Sequence, residues 1–299
     1  MAFNSTSAEL LLLCRNRFPQ ALDFLMLGRQ WLRLQPSEAQ HLQQTYKVQM
    51  TDLSDAAMTD TVYADALLKR MRLNRVESLD AAAYQGANII HDLNIPLTAN
   101  LTGQFDWVVD GGSLEHVFDF PTAIRNCAAL LKPGGLFVTI CPVNNWMGHG
   151  FYQFSPELFF RVFDTANGFS IRFAALHVRD GQEQFFALRD PARVGHRVQY
   201  NPPGRTTLML VAQKLDSAST SIPSVQQSDY SERWRKEDSS DNPKTRACSG
   251  LKDLVPGFIR RPLNAWRIKR TRSQKNRAGL IPCKSLVEAW QFWQTEDKA

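Results

Sequence analysis

The sequence predicts an α/β protein: a doubly wound, mostly parallel sheet of seven strands, followed by a basic helical extension at the C-terminal end. Three observations lead there. Apolar runs such as ALDFLML (21–27) and LFVTICPV (136–143) are too continuous for a strand with one wet face and suit strands covered on both. Helical patterns stand between these runs, which within one sheet implies right-handed crossovers. The charge, finally, is unevenly spread. The 299 residues carry a net +6, yet residues 231–299 hold sixteen Lys/Arg against eight Asp/Glu, which leaves residues 1–230 slightly acidic. With 43% hydrophobic residues, a chain of this length fills one sizeable core with an appendage to spare, and is neither disordered nor fibrous.

Residues 5–17 read as a short helix. Pro19 introduces the run 21–27, which Gly28 ends as a buried strand. Ser37 with Gln40 suggests a capping box for a helix to about Lys47, and residues 59–71 repeat the helical pattern. Strands are expected at 76–79 and 87–90, each followed by an acidic residue, Asp80 and Asp92. FDWVVD (105–110) is the next strand. Asp119 and Pro121 start a helix whose Phe120, Ile124, Cys127, Ala128 and Leu131 keep helical spacing; KPGG (132–135) stops it, and strand 136–143 follows. Ser155 as N-cap and Pro156 open a helix to about Asp164, closed by Gly168. Strands 169–178 and 206–215 complete a body of residues 1–215. Ligands of such sheets bind beyond the carboxyl ends of the strands, so the loops after Leu27, Leu79, Ile90 and Val109 are where function is expected.

Residues 216–246 shift to Ser, Gln, Asp and Lys and read as a flexible linker. The extension, 247–299, combines apolar residues at helical spacing with Arg260, Arg261, Arg267, Lys269, Arg270 and Arg272, and ends in a short helix over 285–293. An anionic membrane surface is one partner such a stretch suits, nucleic acid a lesser one, and a solvated or docked helix face the plainer reading. Cys14, Cys127, Cys141, Cys248 and Cys283 are odd in number and lack a CxxC pair, which argues against a disulfide framework and a zinc site; no metal is expected, and the reducing cytoplasm is the expected setting. The longest early apolar run, 10–14, is too short to cross a bilayer.

The succession FDWVVDGG, SLEHVFD, helix, LLKPGGLFV resembles the second half of a class I S-adenosylmethionine-dependent methyltransferase domain, over roughly residues 20–215. The resemblance implies a Rossmann-like methyltransferase fold with S-adenosylmethionine as cofactor. By the same resemblance Asp80 takes the ribose hydroxyls, Asp92 with Leu93 frames the adenine, and Asp110, Gly111 and Gly112 lie beside the methionyl part. The family's acidic, glycine-rich first turn is replaced here by LMLGRQWL, with Gly28 the only glycine. Arg29 is then either a partner of the cofactor carboxylate or a local salt bridge. Methyl transfer is an in-line displacement in which positioning outweighs acid/base work. Glu115, His116 and His149 are the candidates for that acid/base work, His149 lying in the aromatic loop NNWMGHGFYQFSP (144–156) at the mouth expected for an acceptor. As neighbours on one turn, Glu115 and His116 are not expected to meet at one atom. The acceptor is expected to be a small molecule or a glycan-like group, methylated on O or N. The alternative is a catalytically silent binding or scaffold module, which the sparse first turn favours. A nicotinamide dehydrogenase is disfavoured by the absence of GxGxxG.

Overall fold

The computed structural model describes residues 2–49, 62–215, 222, 225–238 and 277–296. In chain order the elements are β1 (Ala2–Phe3), α1 (Ser5–Arg17), β2 (Asp23–Leu27), β3 (Trp31–Leu32), α2 (Pro36–Tyr46), α3 (Asp65–Arg70), β4 (Arg75–Asp80), β5 (Ile89–Ile90) and β6 (Phe105–Asp110). There follow α4 (Phe120–Leu130), β7 (Leu131–Asn144), α5 (Pro156–Val162), β8 (Phe169–Asp180), β9 (Gln182–Leu188), α6 (Pro191–Val194), β10 (Arg205–Lys214), α7 (Ser228–Asp238), β11 (Leu280–Cys283) and α8 (Leu286–Glu296). β1 and β3 form a two-stranded parallel pair, and the other nine strands form one sheet in the order β11-β9-β8-β10-β7-β6-β2-β4-β5.

The continuous apolar strands are explained by two cores, one on each face. Along β2 and β6 the side chains alternate between them: Phe24, Met26, Trp107 and Val109 belong to one, Leu25, Leu27 and Val108 to the other. The first core takes in α1, α2 and α8, and the second takes in α4 and α5. Helices thus cover both faces, as the doubly wound reading requires.

The sheet departs from seven mostly parallel strands. β2, β4, β5, β6 and β7 pair in parallel, whereas β7-β10, β10-β8, β8-β9 and β9-β11 are antiparallel, so among the described residues the sheet is mixed and nine-stranded. The unexpected strands are β9, whose QEQFFAL has too few apolar residues at its start to stand out, and β11, a four-residue edge strand. KPGG does not precede β7 but lies inside it as a bulge: Phe105 pairs with Leu131 and Trp107 with Leu136, so β7 loops out opposite Asp106. Gly135 is required there, because a Cβ would sit 2.9 Å from Lys132 O. The α2 box is set two residues earlier than Ser37 and Gln40 suggest: Gln35 is the N-cap and its N–H donates to Glu38 Oε2 at 2.7 Å. α5 stops at Val162, with a 3-10 turn, Thr165–Asn167, before Gly168.

The far end of the extension is part of the body, which corrects the expectation of a separate 247–299 unit. β11 pairs with β9; α8 buries Leu286, Ala289 and Trp290 in the first core, with Trp290 5.2 Å from Phe173. Trp293 Nε1 donates to Ala174 O at 2.7 Å, and Arg17 Nε donates to Gln294 Oε1 at 3.0 Å. The basic stretch 251–272, Cys248, residues 216–221, 223–224 and 239–246 of the expected linker and the start of the expected helix at 59–61 lie outside the described residues, and within that expected flexible linker Ser228–Asp238 forms the helix α7. No helix among the described residues is long and apolar enough to cross a membrane.

Candidate active site

A cleft of about 410 Å³ opens at the carboxyl ends of β2, β4, β5 and β6, where the doubly wound topology puts ligands. It is lined by the turn after β2 (Gly28, Arg29, Gln30), by Asp80, by His91 to Asn94, and by Gly112, Ser113 and His116.

The turn after β2 is closed by side chains in place of further glycines. Gly28 has φ +67° and donates its N–H to Leu79 O at 2.8 Å, which ties the ends of β2 and β4 together. A Cβ on it would lie 2.9 Å from Ser113 Oγ, so glycine is needed both for conformation and for space. Ser113 Oγ donates to Leu27 O at 2.6 Å, and Gln30 Nε2 donates to Leu27 O at 3.2 Å. Gln30 is buried, and its Oε1 has no hydrogen-bond partner among the described residues. Arg29 is a local partner: it pairs with Asp65 at 3.2 Å, donates to Gln85 O at 2.9 Å and lies 4.1 Å from the centre of the Tyr63 ring.

Asp80 and Asp92 both line the cleft. Asp80 faces Gly28, with Oδ2 3.9 Å from where a Cβ on Gly28 would lie, and makes no side-chain hydrogen bond to the described residues. Asp92 Oδ1 accepts from Asn94 N–H at 2.9 Å and from Asn94 Nδ2 at 2.8 Å, an Asx turn whose donors hold the carboxyl below its ordinary range. Leu93 is buried beneath, its carbonyl accepting from Asn126 Nδ2 at 3.2 Å. Asp110 and Gly111 do not belong to the cleft wall. Asp110 is fully buried: Oδ1 accepts from the N–H groups of Gly112, Ser113 and Leu114 at 3.2, 2.8 and 3.2 Å, and Oδ2 accepts from Thr139 Oγ1 at 2.7 Å. Burial pushes its carboxyl upward against these four donors. Gly111 packs against Phe3, whose Cε1 would lie 2.5 Å from an added Cβ. Both residues shape the turn; of the DGG triplet only Gly112 reaches the cleft.

Glu115 and His116 occupy a 3-10 turn, Leu114–His116, beside the cleft. Contrary to the expectation that neighbours on a turn diverge, Glu115, His116 and His149 converge, each offering one ligand atom within 4.8 Å of the others. The aromatic loop brings His149 in. Phe151 and Tyr152 donate their N–H groups to Glu115 O at 2.7 and 3.2 Å, and Gly150, with φ +72°, comes so close that a Cβ would lie 2.8 Å from that oxygen. Trp146 Nε1 donates to Thr206 O, Asn145 Nδ2 to Pro202 O and Gly204 O, and Tyr152 OH to Phe118 O, so the loop's other polar groups fix its shape. His149 Nε2 stands 3.3 Å from Glu115 Oε1 without hydrogen-bond alignment, and the rings of His116 and His149 meet edge to face at 5.1 Å. Glu115 is 0% exposed; burial, with the nearby Asp110 charge, pushes its carboxyl up to about 8. Burial lowers both imidazoles, so near neutrality this is a carboxylic acid beside neutral rings rather than an ion pair.

Sequence reading missed Gln30 and Ser113 as parts of the turn after β2, and Asn94 as the partner of Asp92. The Asp-Leu-Asn triplet and a polar Thr139 inside an apolar strand are the signals that pointed to such caps.

A family model described as a methyltransferase domain matches residues 37–139. A ubiquinone biosynthesis O-methyltransferase from Xanthomonas oryzae pv. oryzae is 41% identical over 80 residues, 27% of this chain and 31% of that protein. Its counterpart from Bordetella pertussis is 36% identical over 83 residues, 28% and 32% of the two chains. The match thus spans about a third of the length of these curated relatives. Among solved structures, a 1,6-didemethyltoxoflavin-N1-methyltransferase from Burkholderia thailandensis aligns over 71% of this chain and 78% of that one, at 16% identity and a TM-score of 0.37. A putative methyltransferase from Bacillus halodurans aligns over 68% and 98%, at 10% identity and a TM-score of 0.39.

Proposed function

We propose that the chain, whose residues 37–139 match a methyltransferase-domain model, is a class I methyltransferase that transfers a methyl group from S-adenosylmethionine to an oxygen or nitrogen of a small-molecule acceptor, a glycan-like hydroxyl included. The observation that carries this is one cleft with two chemically different walls: carboxylates at the ends of β4 and β5 on one side and, on the other, His116, with which Glu115 and His149 converge.

The residues suit the cofactor. Asp80 brings a carboxylate with unused acceptor capacity, which a ribose diol would satisfy, and Asp92 with Leu93 and Asn94 offers an acceptor edge over an apolar floor for the adenine. Gly28 and Gly112 leave backbone open to a close ligand, and the orphan Gln30 Oε1 is an acceptor suited to an ammonium group. Arg29, already held by Asp65 and Gln85, is given no part in the cofactor carboxylate. A volume near 410 Å³ lies in the range of small-molecule sites. The cofactor, when bound, supplies an electrophilic sulfonium methyl group. The protein's own work is to hold the acceptor in line through the turn of Glu115 and His116, to use His149 or His116 where a proton must leave, and to exclude water with the 144–156 loop.

Calorimetric titration of the folded full chain with S-adenosylmethionine and S-adenosylhomocysteine tests the reading. Saturable binding that Asp80→Ala and Asp92→Ala weaken is expected. A folded protein that takes up neither ligand overturns it in favour of a silent binding module. The basic stretch at 251–272 is proposed as a membrane-surface contact, for which salt-sensitive co-sedimentation with anionic vesicles is the test.

A further inference from the structure

We infer that Glu115, His116 and His149 form a site for one divalent cation of the zinc type, open toward the cleft. One carboxylate and two imidazoles are the donor set of three-ligand sites that keep a position for water or substrate, and imidazole nitrogens favour borderline cations over calcium or magnesium. The ligand atoms lie within 4.8 Å of one another, against the roughly 3.3 Å between ligand atoms of a tetrahedral ion with bonds of about 2 Å, so binding asks the side chains for a modest contraction.

The second observation is independent of the cluster's composition. Glu115 is 0% exposed, and among the described residues neither carboxylate oxygen has a hydrogen-bond partner; His149 Nε2, facing it at 3.3 Å, has none there either. Three buried polar atoms left unpaired at one point are costly in a folded protein. Among the described residues no lysine or arginine pairs with Glu115. A cation satisfies these atoms together. The backbone is already fixed for it: the hydrogen bonds from Phe151 and Tyr152 to Glu115 O clamp the His149 loop onto the Glu115 turn, and Gly150 permits the approach. His116 is exposed and lines the cleft, so the open coordination position faces the ligand space. The absence of a CxxC pair in the sequence hides such a site, because its ligands come from two loops.

The role of the cation rests on the methyl-transfer reading; its binding does not. There, with His116 and His149 taken up as ligands and no longer serving as bases, it would hold the acceptor oxygen as a Lewis acid: the O–H bond ionises, the proton leaves to water, and the electron pair stays on the cation-bound oxygen, ready to attack.

The test is titration of the metal-free full chain with Co2+, followed by its visible absorption, then displacement by Zn2+. One Co2+ per chain is expected, with bands of nitrogen and oxygen ligands and no thiolate charge transfer. Glu115→Gln and His149→Gln should each weaken binding by more than the roughly tenfold to hundredfold that loss of an outer partner costs. Cys283→Ser and His177→Gln should leave it intact. His116→Gln, at an exposed position, provides a ligand deletion that spares the fold should a Glu115 variant fail to fold. Absence of stoichiometric binding, or binding that survives substitution of all three residues, overturns the inference. Co2+ binding without S-adenosylmethionine binding would defeat the transfer reading alone, and the converse would defeat only the cation site.

Discussion

Asp80 and Asp110 close β4 and β6, the two strands that flank β2 in the parallel part of the sheet, yet they have opposite fates. Asp110 is fully buried and its two oxygens accept from three backbone N–H groups and the Thr139 hydroxyl. Asp80 borders the cleft and makes no such bond to the described residues. The carboxylate with donors is spent on making a turn; the one without donors is available for a ligand. His177 on β8 adds a third case, burial in which Nε2 has no hydrogen-bond partner among the described residues, the Glu183 carboxylate 3.4 Å away being out of alignment: its ring is 5% exposed, and Phe185 stacks on it at 4.6 Å.

The largest effect should come from Asp110→Ala, which leaves three backbone donors and a hydroxyl facing a cavity. A loss of about 4 kcal/mol of unfolding free energy is expected in urea melts; a variant as stable as the wild type would erase the contrast with Asp80. His177 should show next. Burial lowers it to about 4 from an ordinary 6.5, outweighing the exposed Glu183 carboxylate 3.4 Å away. Between those values the unfolded chain takes up a proton that the folded chain refuses. Stability is therefore full above about pH 6.5 and falls toward pH 4, His177 accounting for up to about 3 kcal/mol. His177→Phe should remove that part of the acid loss; parallel stability curves for the two proteins across pH 4–7 would show that the ring is not held neutral. Asp80→Ala should do the reverse of Asp110→Ala: melting unchanged, S-adenosylmethionine affinity lower by roughly tenfold to a hundredfold, as for hydrogen bonds to a charged group.

This contrast also explains what was legible in the sequence. The strands at 21–27, 105–110 and 136–143 and the helix after Asp119 were readable because burial on both faces forces continuous apolar runs, and because Asp119 caps its helix through Thr122 within three residues. The cleft's place followed from topology. Whether a carboxylate at a strand end is a ligand or a staple did not follow, since the deciding donors sit elsewhere: Thr139, which meets Asp110, is 29 residues away. The convergence of Glu115 with His149 was hidden for the same reason, as the Gly150 contact that permits it joins two loops. At the antiparallel edge, Leu280–Cys283 is a strand only because β9 is there to pair with it, and four residues carry no period of their own.

Thr139→Val is the mildest way to probe the Asp110 side of the comparison, and the sharpest. Valine keeps the volume and the strand preference while removing the one side-chain donor to Oδ2, so packing in β7 is barely disturbed. If Asp110 is a staple, the carboxylate retains its three backbone donors and the loss should be about 1–2 kcal/mol, well short of the Asp110→Ala effect. Cofactor affinity should not move, because neither Thr139 nor Asp110 borders the cleft. A Thr139→Val protein with wild-type stability and weakened S-adenosylmethionine binding would mean that Asp110 faces the ligand after all, and that burial and donors do not distinguish the two aspartates.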